Sequence, residues 1–344
     1  MRLSDFDYHL PEELIAQQPL AERDASRMLV VDRQTGSWRD SSFREFVAEI
    51  KTDDLVVVNN SRVIPARLIG IRKDSGGRVE IFLIRENEDG TWHTLVRPSA
   101  RLKRGSRVLF GEGKLEAELL DDPGTDMRQV RFHCSGSFEG ALSSVGSTPL
   151  PPYIKRPHGV SITDDERYQT VYSKSRGAIA APTAGLHFTD EQLSRLREQN
   201  QIVEITLHVG YGTFEPVRVD NVAEHTVSSE QFDISEDAAK RINETRERGG
   251  RIVAIGTTTT RALESASINY GQVSSGPNEA RLTITPGFKF RVVDALLTNF
   301  HLPQSSLLVL VSSFAGRNLV LEAYRHAVSE RYRFYSYGDC MLIE

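Results

Sequence analysis

The chain has 344 residues, of which 39% are hydrophobic and 26% charged, and its formal net charge is −5. This is the composition of an ordinary globular protein; it excludes a fibre or a disordered chain, and the length allows two domains with sizeable cores. A net negative charge also excludes a uniformly basic coat for nucleic acid and leaves room only for a local basic patch.

Taken in chain order, the first stretch, M-R-L-S-D-F-D-Y-H-L-P-E-E-L, carries acids and no apolar core, so neither signal nor transit peptide is expected. Leu55 to Val58 reads as an apolar strand that ends abruptly at N-N-S-R-V-I-P (59–65). From Val63 to Gly140, short alternating runs separated by turn residues predict six strands without a helix, at 66–72, 78–85, 91–96, 107–110, 114–120 and 128–133. Such a series makes a small barrel or sandwich. Prolines stiffen the two segments that bracket it, 59–65 and P-L-P-P-Y-I-K-R-P at 149–157. The reading is an α/β main domain formed by residues 1–62 and 153–344, with an all-β domain, a six-stranded barrel, inserted at 63–152.

In the main domain, T-D-E-Q from Thr189 is a capping box that opens a helix with Leu193 and Leu196 on its buried face. In the strand that follows, Val203, Ile205, Leu207 and Val209 face one way, and Glu204, Thr206 and His208 the other. Ser235 opens a helix that Gly249 or Gly250 closes. R-I-V-A-I-G then runs into T-T-T-T-R-A-L-E-S, a strand, a glycine turn and a helix start, and two regular apolar segments near 305–316 and 318–328 predict helices.

Several stretches carry residue types that suit chemistry. G-T-T-T-T-R (256–261) sets a glycine, four hydroxyls and Arg261 where a strand hands over to a helix, which suits a bound anion or, equally, a capped helix beside a core strand. A-A-P-T-A-G-L-H-F-T (180–189) puts Thr183 and Gly185 where another molecule can approach the backbone, with His187 able to titrate near neutrality or simply to sit hydrogen-bonded in the core. L-H-V-G-Y-G-T-F-E-P-V (207–217) offers Tyr211, Phe214 and Glu215 to a cation, or is only a glycine-rich turn. Arg97, Arg101, Lys103, Arg104 and Arg107 follow one another with no acid between, a run that can neutralise phosphates or be merely solvated.

Other chemistries are disfavoured. Cys134 and Cys340 lie far apart and outside any C-x-x-C context, which predicts small buried hydrophobes in a reducing cytoplasm rather than a disulfide framework or a zinc site. The nine histidines are scattered, H-E-x-x-H, G-x-S-x-G and the P-loop pattern are missing, and no metal is expected. The longest apolar run, Leu307 to Val311, is too short to span a bilayer.

These stretches, together with F-D-Y-H-L-P-E-E-L-I-A-Q-Q-P, R-D-A-S-R, V-N-N-S-R-V-I-P-A-R-L, L-P-P-Y-I, Y-Q-T-V-Y, V-D-A-L-L-T-N-F-H-L-P and Y-R-F-Y-S-Y-G-D-C-M-L-I, resemble the S-adenosylmethionine:tRNA ribosyltransferase-isomerase family of queuosine biosynthesis along the whole chain. The resemblance implies an α/β domain with an inserted six-stranded barrel, and a cytoplasmic monomer. It implies transfer and isomerisation of the ribosyl part of S-adenosylmethionine onto 7-aminomethyl-7-deazaguanine at the tRNA wobble position, with epoxyqueuosine formed and adenine and methionine released. The donor is then consumed as a substrate and no cofactor is needed. His187 and His208 become candidate bases, and Thr257, Thr258 and Arg261 suit the methionine carboxylate. Tyr211, Phe214 and Glu215 suit the sulfonium, Thr183, Gly185, Phe300 and His301 line the substrate site, and the basic run from Arg97 to Arg107 meets the tRNA. The chain departs from the family pattern at Asn60, where an aspartate is usual, and at Ser228, where a histidine is common. The rival readings are an RNA-binding protein without catalysis and another RNA enzyme that uses the same methyl donor.

Overall fold

The structure of the protein, a computed structural model, describes residues 1–156, 159–214 and 217–344. Four apolar runs lie side by side in parallel, in the order Ile202–Leu207, Leu55–Asn59, Ile252–Ile255 and Ala295–Asn299. Strands covered on both faces show little polar alternation, and their successive residues serve opposite layers: Leu55 and Val57 enter one core cluster, Val56 and Val58 the other. Antiparallel strands Glu230–Ile234 and Gly276–Ala280 extend the sheet beyond Ile202–Leu207, while Cys340–Ile343, Arg27–Asp32 and Ser37–Ser42 complete nine strands at the other edge.

Helices cover both faces. Asp190–Glu198 packs Leu193 and Leu196 with Phe43, Phe46 and Phe188 on one side. Its capping box is complete, with Thr189 Oγ1 accepting from the Gln192 amide and Gln192 Oε1 from the Thr189 amide, both at 3.3 Å. Glu236–Glu247, Thr257–Ser267, Ser306–Ala315 and Arg317–Ser329 cover the other side. Among the described residues no single helix is long and apolar enough to cross a membrane.

The inserted unit is a closed antiparallel barrel. Its strands run in the order Arg67–Arg72, Arg78–Glu86, Trp92–Arg97, Met127–Cys134, Leu115–Leu119 and Arg107–Phe110, and the last returns to the first through Ile71 with Leu109 and Arg72 with Val108. Val79, Ile81, Leu83, Val108, Ala117 and Val130 fill it. All six expected strands are present, but the segment is not free of helix: Phe138–Val145 forms one, capped by Ser137, and lays Phe138 on Trp92 and Phe132. Its sequence, F-E-G-A-L-S-S-V, is poor in strong helix formers, so tertiary packing rather than propensity makes it helical.

Candidate active site

The parallel strands all end on one edge of the sheet, the edge where open α/β sheets bind ligands. Val209, Gly256 and Asn299 come together there and line a cavity with Tyr153, Tyr168 and Tyr335. A second cavity, lined by Ser228, His225 and Thr283, shares Thr257, Thr258 and Leu307 with the first. Through Gly212 and Ser228 it meets a cleft of about 510 Å³ between sheet and barrel, to which the barrel contributes Arg85, Trp92 and His93. The two cavities and the cleft thus form a channel of adjoining spaces that share lining residues from the strand ends to the barrel.

The helix Thr257–Ser267 aims its N-terminus at this channel, and its four leading hydroxyls divide evenly. Thr259 and Thr260 bond back to the carbonyls of Ile255 at 2.7 Å and Gly256 at 3.1 Å. Thr257 and Thr258 make no such bond and line both cavities. Gly256 occupies the cap position with φ 92° and ψ 155° and offers no side-chain acceptor, so the positive end of the helix is open toward the cavity. Arg261 lines the second of these cavities with them. Its guanidinium is buried and spent on Glu230 at 2.5 Å and on the carbonyls of Ala280, Leu282 and Ser228, while the other Glu230 oxygen accepts from the Gly210 amide at 3.0 Å. It ties the helix to the sheet, and an incoming carboxylate would have to displace Glu230.

The two candidate histidines differ sharply. His187 ends the 3-10 helix Thr183–His187 and is buried, with Nδ1 2.8 Å from Ser26 Oγ and Nε2 3.2 Å from Asn299 Nδ2. Burial and the neighbouring Arg23 and Arg333 push its pKa down to about 3, so it is neutral at pH 7 with both ring nitrogens occupied. His208 is hydrogen-bonded at neither ring nitrogen among the described residues, lines the cleft, and has its pKa lowered by desolvation alone. Gly177, at φ 139°, makes room for it: a Cβ there would stand 2.9 Å from the imidazole.

Other expected site residues separate in the same way. Thr183 lines the strand-end cavity, but the space opened by Gly185 is filled from within, since a Cβ would lie 2.0 Å from the Tyr172 hydroxyl. Phe300 and His301 line the same cavity as Thr183; Phe300 packs against Tyr324, Tyr332 and Phe334, and the His301 ring is held 2.8 Å from Thr298 Oγ1, with burial taking its pKa to about 3. Tyr211 lines the cleft and packs edge-on against Phe82 of the barrel. Glu215 and the side chain of Phe214 lie outside the described residues. Asn60 bonds Thr206 and Glu204 across strands, and Ser228 fills the space beside Gly212.

The basic run lies elsewhere. It joins Trp92–Arg97 to Arg107–Phe110 at the barrel end away from Trp92, and Arg107 is paired with Glu116 at 2.7 Å. Among the described residues Arg97, Arg101, Lys103 and Arg104 are exposed and in no ion pair. Reasoning from sequence did not single out Asn299, Tyr153, Tyr168 and Trp92 as site residues; the first three lie within the stretches V-D-A-L-L-T-N-F-H-L-P, L-P-P-Y-I and Y-Q-T-V-Y, and a further signal for Asn299 is its place at the end of an apolar run.

An α/β sheet with a charged helix terminus at its strand ends, opening into a cleft under a barrel, is the arrangement of a two-domain enzyme. A family model described as "Queuosine biosynthesis protein" matches residues 3–343. Two relatives, from Halothermothrix orenii and Pelotomaculum thermopropionicum, are 47% and 48% identical over 344 residues, the whole of both chains in each case, and both are named S-adenosylmethionine:tRNA ribosyltransferase-isomerase. The crystal structure of S-adenosylmethionine tRNA ribosyltransferase from Thermotoga maritima is 37% identical, with a TM-score of 0.56 over 99% of this chain and 100% of that one. The chain belongs to the queuosine biosynthesis family and is an enzyme of the ribosyltransferase-isomerase type.

Proposed function

We propose that this enzyme takes the ribosyl part of S-adenosylmethionine and, isomerising it, joins it to 7-aminomethyl-7-deazaguanine at the wobble position of tRNA. The products are epoxyqueuosine-tRNA, adenine and methionine. The names of the relatives support donor and tRNA. The observation that carries the reading is the series of adjoining spaces: an open helix terminus with two buried hydroxyls at one end, and a neutral histidine with free nitrogens in the cleft at the other. The donor is a substrate and no cofactor takes part; the working form is a cytoplasmic monomer.

In this reading the methionine carboxylate rests on Thr257, Thr258 and the first-turn amides. The sulfonium, whose positive charge acidifies the adjoining ribose carbon, lies toward Tyr211. His208 removes the proton from that carbon, and the electron pair released drives elimination of adenine; the aminomethyl nitrogen of the tRNA base adds to the alkene so formed, giving up a proton, and ring closure with epoxide formation expels methionine. His187, neutral and doubly bonded, positions its neighbours instead.

Incubation with S-adenosylmethionine and tRNA bearing the aminomethyl base is expected to release adenine and methionine. tRNA binding without either product sinks this reading of the reaction. Replacing His208 by alanine should lower turnover by about 10²- to 10⁴-fold. The acid limb of the wild-type pH profile should fall below 6.5, because desolvation lowers the imidazole pKa and protonation then removes the base. An undiminished His208→Ala enzyme would remove His208 from the mechanism.

A further inference from the structure

Asn299 closes the strand Ala295–Asn299 and lines the strand-end cavity, and the structure fixes which way its carboxamide faces. One side meets the carbonyls of Tyr335 at 3.2 Å and Asp339 at 3.5 Å, so the atom there has to be the donor Nδ2. That assignment settles the histidine: Nε2 of His187 accepts from Nδ2, Nδ1 carries the proton, and Nδ1 donates to Ser26 Oγ. The amide nitrogen is therefore surrounded by acceptors. Oδ1 faces the other way and is a buried acceptor with no hydrogen-bond partner among the described residues.

A buried acceptor left unmatched costs roughly 1–3 kcal/mol, which a folded protein tolerates where a ligand later supplies the donor. In the same cavity the Tyr168 hydroxyl is also buried and makes no well-formed hydrogen bond among the described residues. An acceptor and a donor thus sit between aromatic and apolar walls that include Tyr153, Pro182 and Leu307. The edge of adenine carries the complementary pair, a 6-amino donor beside ring-nitrogen acceptors.

We propose that Asn299 is a specificity-determining residue that reads the 6-amino group of the donor's purine, with His187 and Ser26 as the positioning residues that hold its carboxamide. The proposal rests on the reading of S-adenosylmethionine as the donor. With the carboxylate at Thr257 and Thr258 and the reacting ribose turned to the cleft, the strand-end cavity is the part of the channel left for the base. His187 serves as a fixed lone pair here, a task its low basicity does not impair.

The experiment is calorimetric titration of the full-length protein with S-adenosylmethionine and with S-inosylmethionine, whose 6-oxo group sets an acceptor against Oδ1. The titrations are run with tRNA carrying guanine at the wobble position, which lacks the aminomethyl nucleophile. Wild type should bind the inosyl donor about 100-fold more weakly, the factor expected when a buried acceptor is left facing another acceptor. Asn299→Ala should reduce that ratio to less than about 10. His187→Gln, whose side-chain oxygen can accept from Nδ2, should keep the ratio, and His187→Leu should lose it. A purely structural histidine would give thermal destabilisation without this split. Should His187→Leu fail to fold, Asn299→Ala and Ser26→Ala still decide the matter.

Equal affinity of wild type for the two donors, no binding of either, or an unchanged ratio in Asn299→Ala overturns the proposal. Donor discrimination without release of adenine and methionine in the turnover assay would leave it standing and sink the ribosyl-transfer reading instead.

Discussion

His187 and His301 are buried imidazoles whose pKa falls from 6.5 to about 3. In the unfolded chain both take a proton near pH 6.5, whereas in the folded protein neither does until about pH 3, so between those values the unfolded state binds more protons. Stability therefore rises with pH through this window and falls on acidification. Each histidine contributes a slope approaching 1.4 kcal/mol per pH unit. Urea unfolding from pH 7 to pH 4.5 should show the combined slope, and His301→Gln should reduce it by about half. A pH-independent midpoint would mean that both rings titrate in the fold as they do in the unfolded chain, and a halved slope that one of them does. The same neutrality suits His187 to present a lone pair to Asn299 and makes it a poor proton acceptor beside His208.

At the scale of elements, the helix Thr257–Ser267 depends on the backbone of Gly256. Its φ of 92° and ψ of 155° fall in a region open essentially only to glycine, while a Cβ would meet nothing closer than 3.8 Å. Gly256→Ala should thus cost about 1–3 kcal/mol through backbone strain without a clash, measured by denaturant midpoint. It should also weaken S-adenosylmethionine binding by tilting the amides of the first turn; unchanged affinity would argue against an anion there. This turn was legible in the sequence because strand, glycine and hydroxyls follow in register, as was the capping box at Thr189. The six barrel strands were legible because one face is buried and the runs alternate. Ala295–Asn299 and Cys340–Ile343 were not, since short strands buried on both faces leave no period to read. The partners of Arg261 and Gly185 were not legible for a related reason: Glu230, which holds the Arg261 guanidinium, and Tyr172, which fills the space at Gly185, are distant in sequence.

Over the whole molecule, the cleft and the basic run stand at opposite ends of one barrel. Trp92, at the cleft, and Arg97, where the run begins, are the two ends of one strand, and five residue steps of extended chain span about 17 Å. An RNA placing its wobble base in the cleft while touching the run has to lie along the barrel, meeting the run with backbone phosphates rather than with the reacting base. The run is held in place. Arg128, wholly buried, donates to the carbonyls of Ser99, Leu102 and Asp121 and to the Asp121 carboxylate, so the loop carrying the cations is braced from beneath. Replacing Arg97, Arg101, Lys103 and Arg104 together by glutamine should weaken tRNA binding. Each phosphate that the variant no longer neutralises should flatten the slope of log affinity against log salt by about 0.7–0.9. Arg107 is left out because it is paired with Glu116. Donor affinity should not change, since the run touches neither cavity at the strand ends. A variant with the wild-type salt slope would show that the tRNA does not reach this end of the barrel, and that its phosphates are met instead by arginines at the cleft, Arg85 and Arg176.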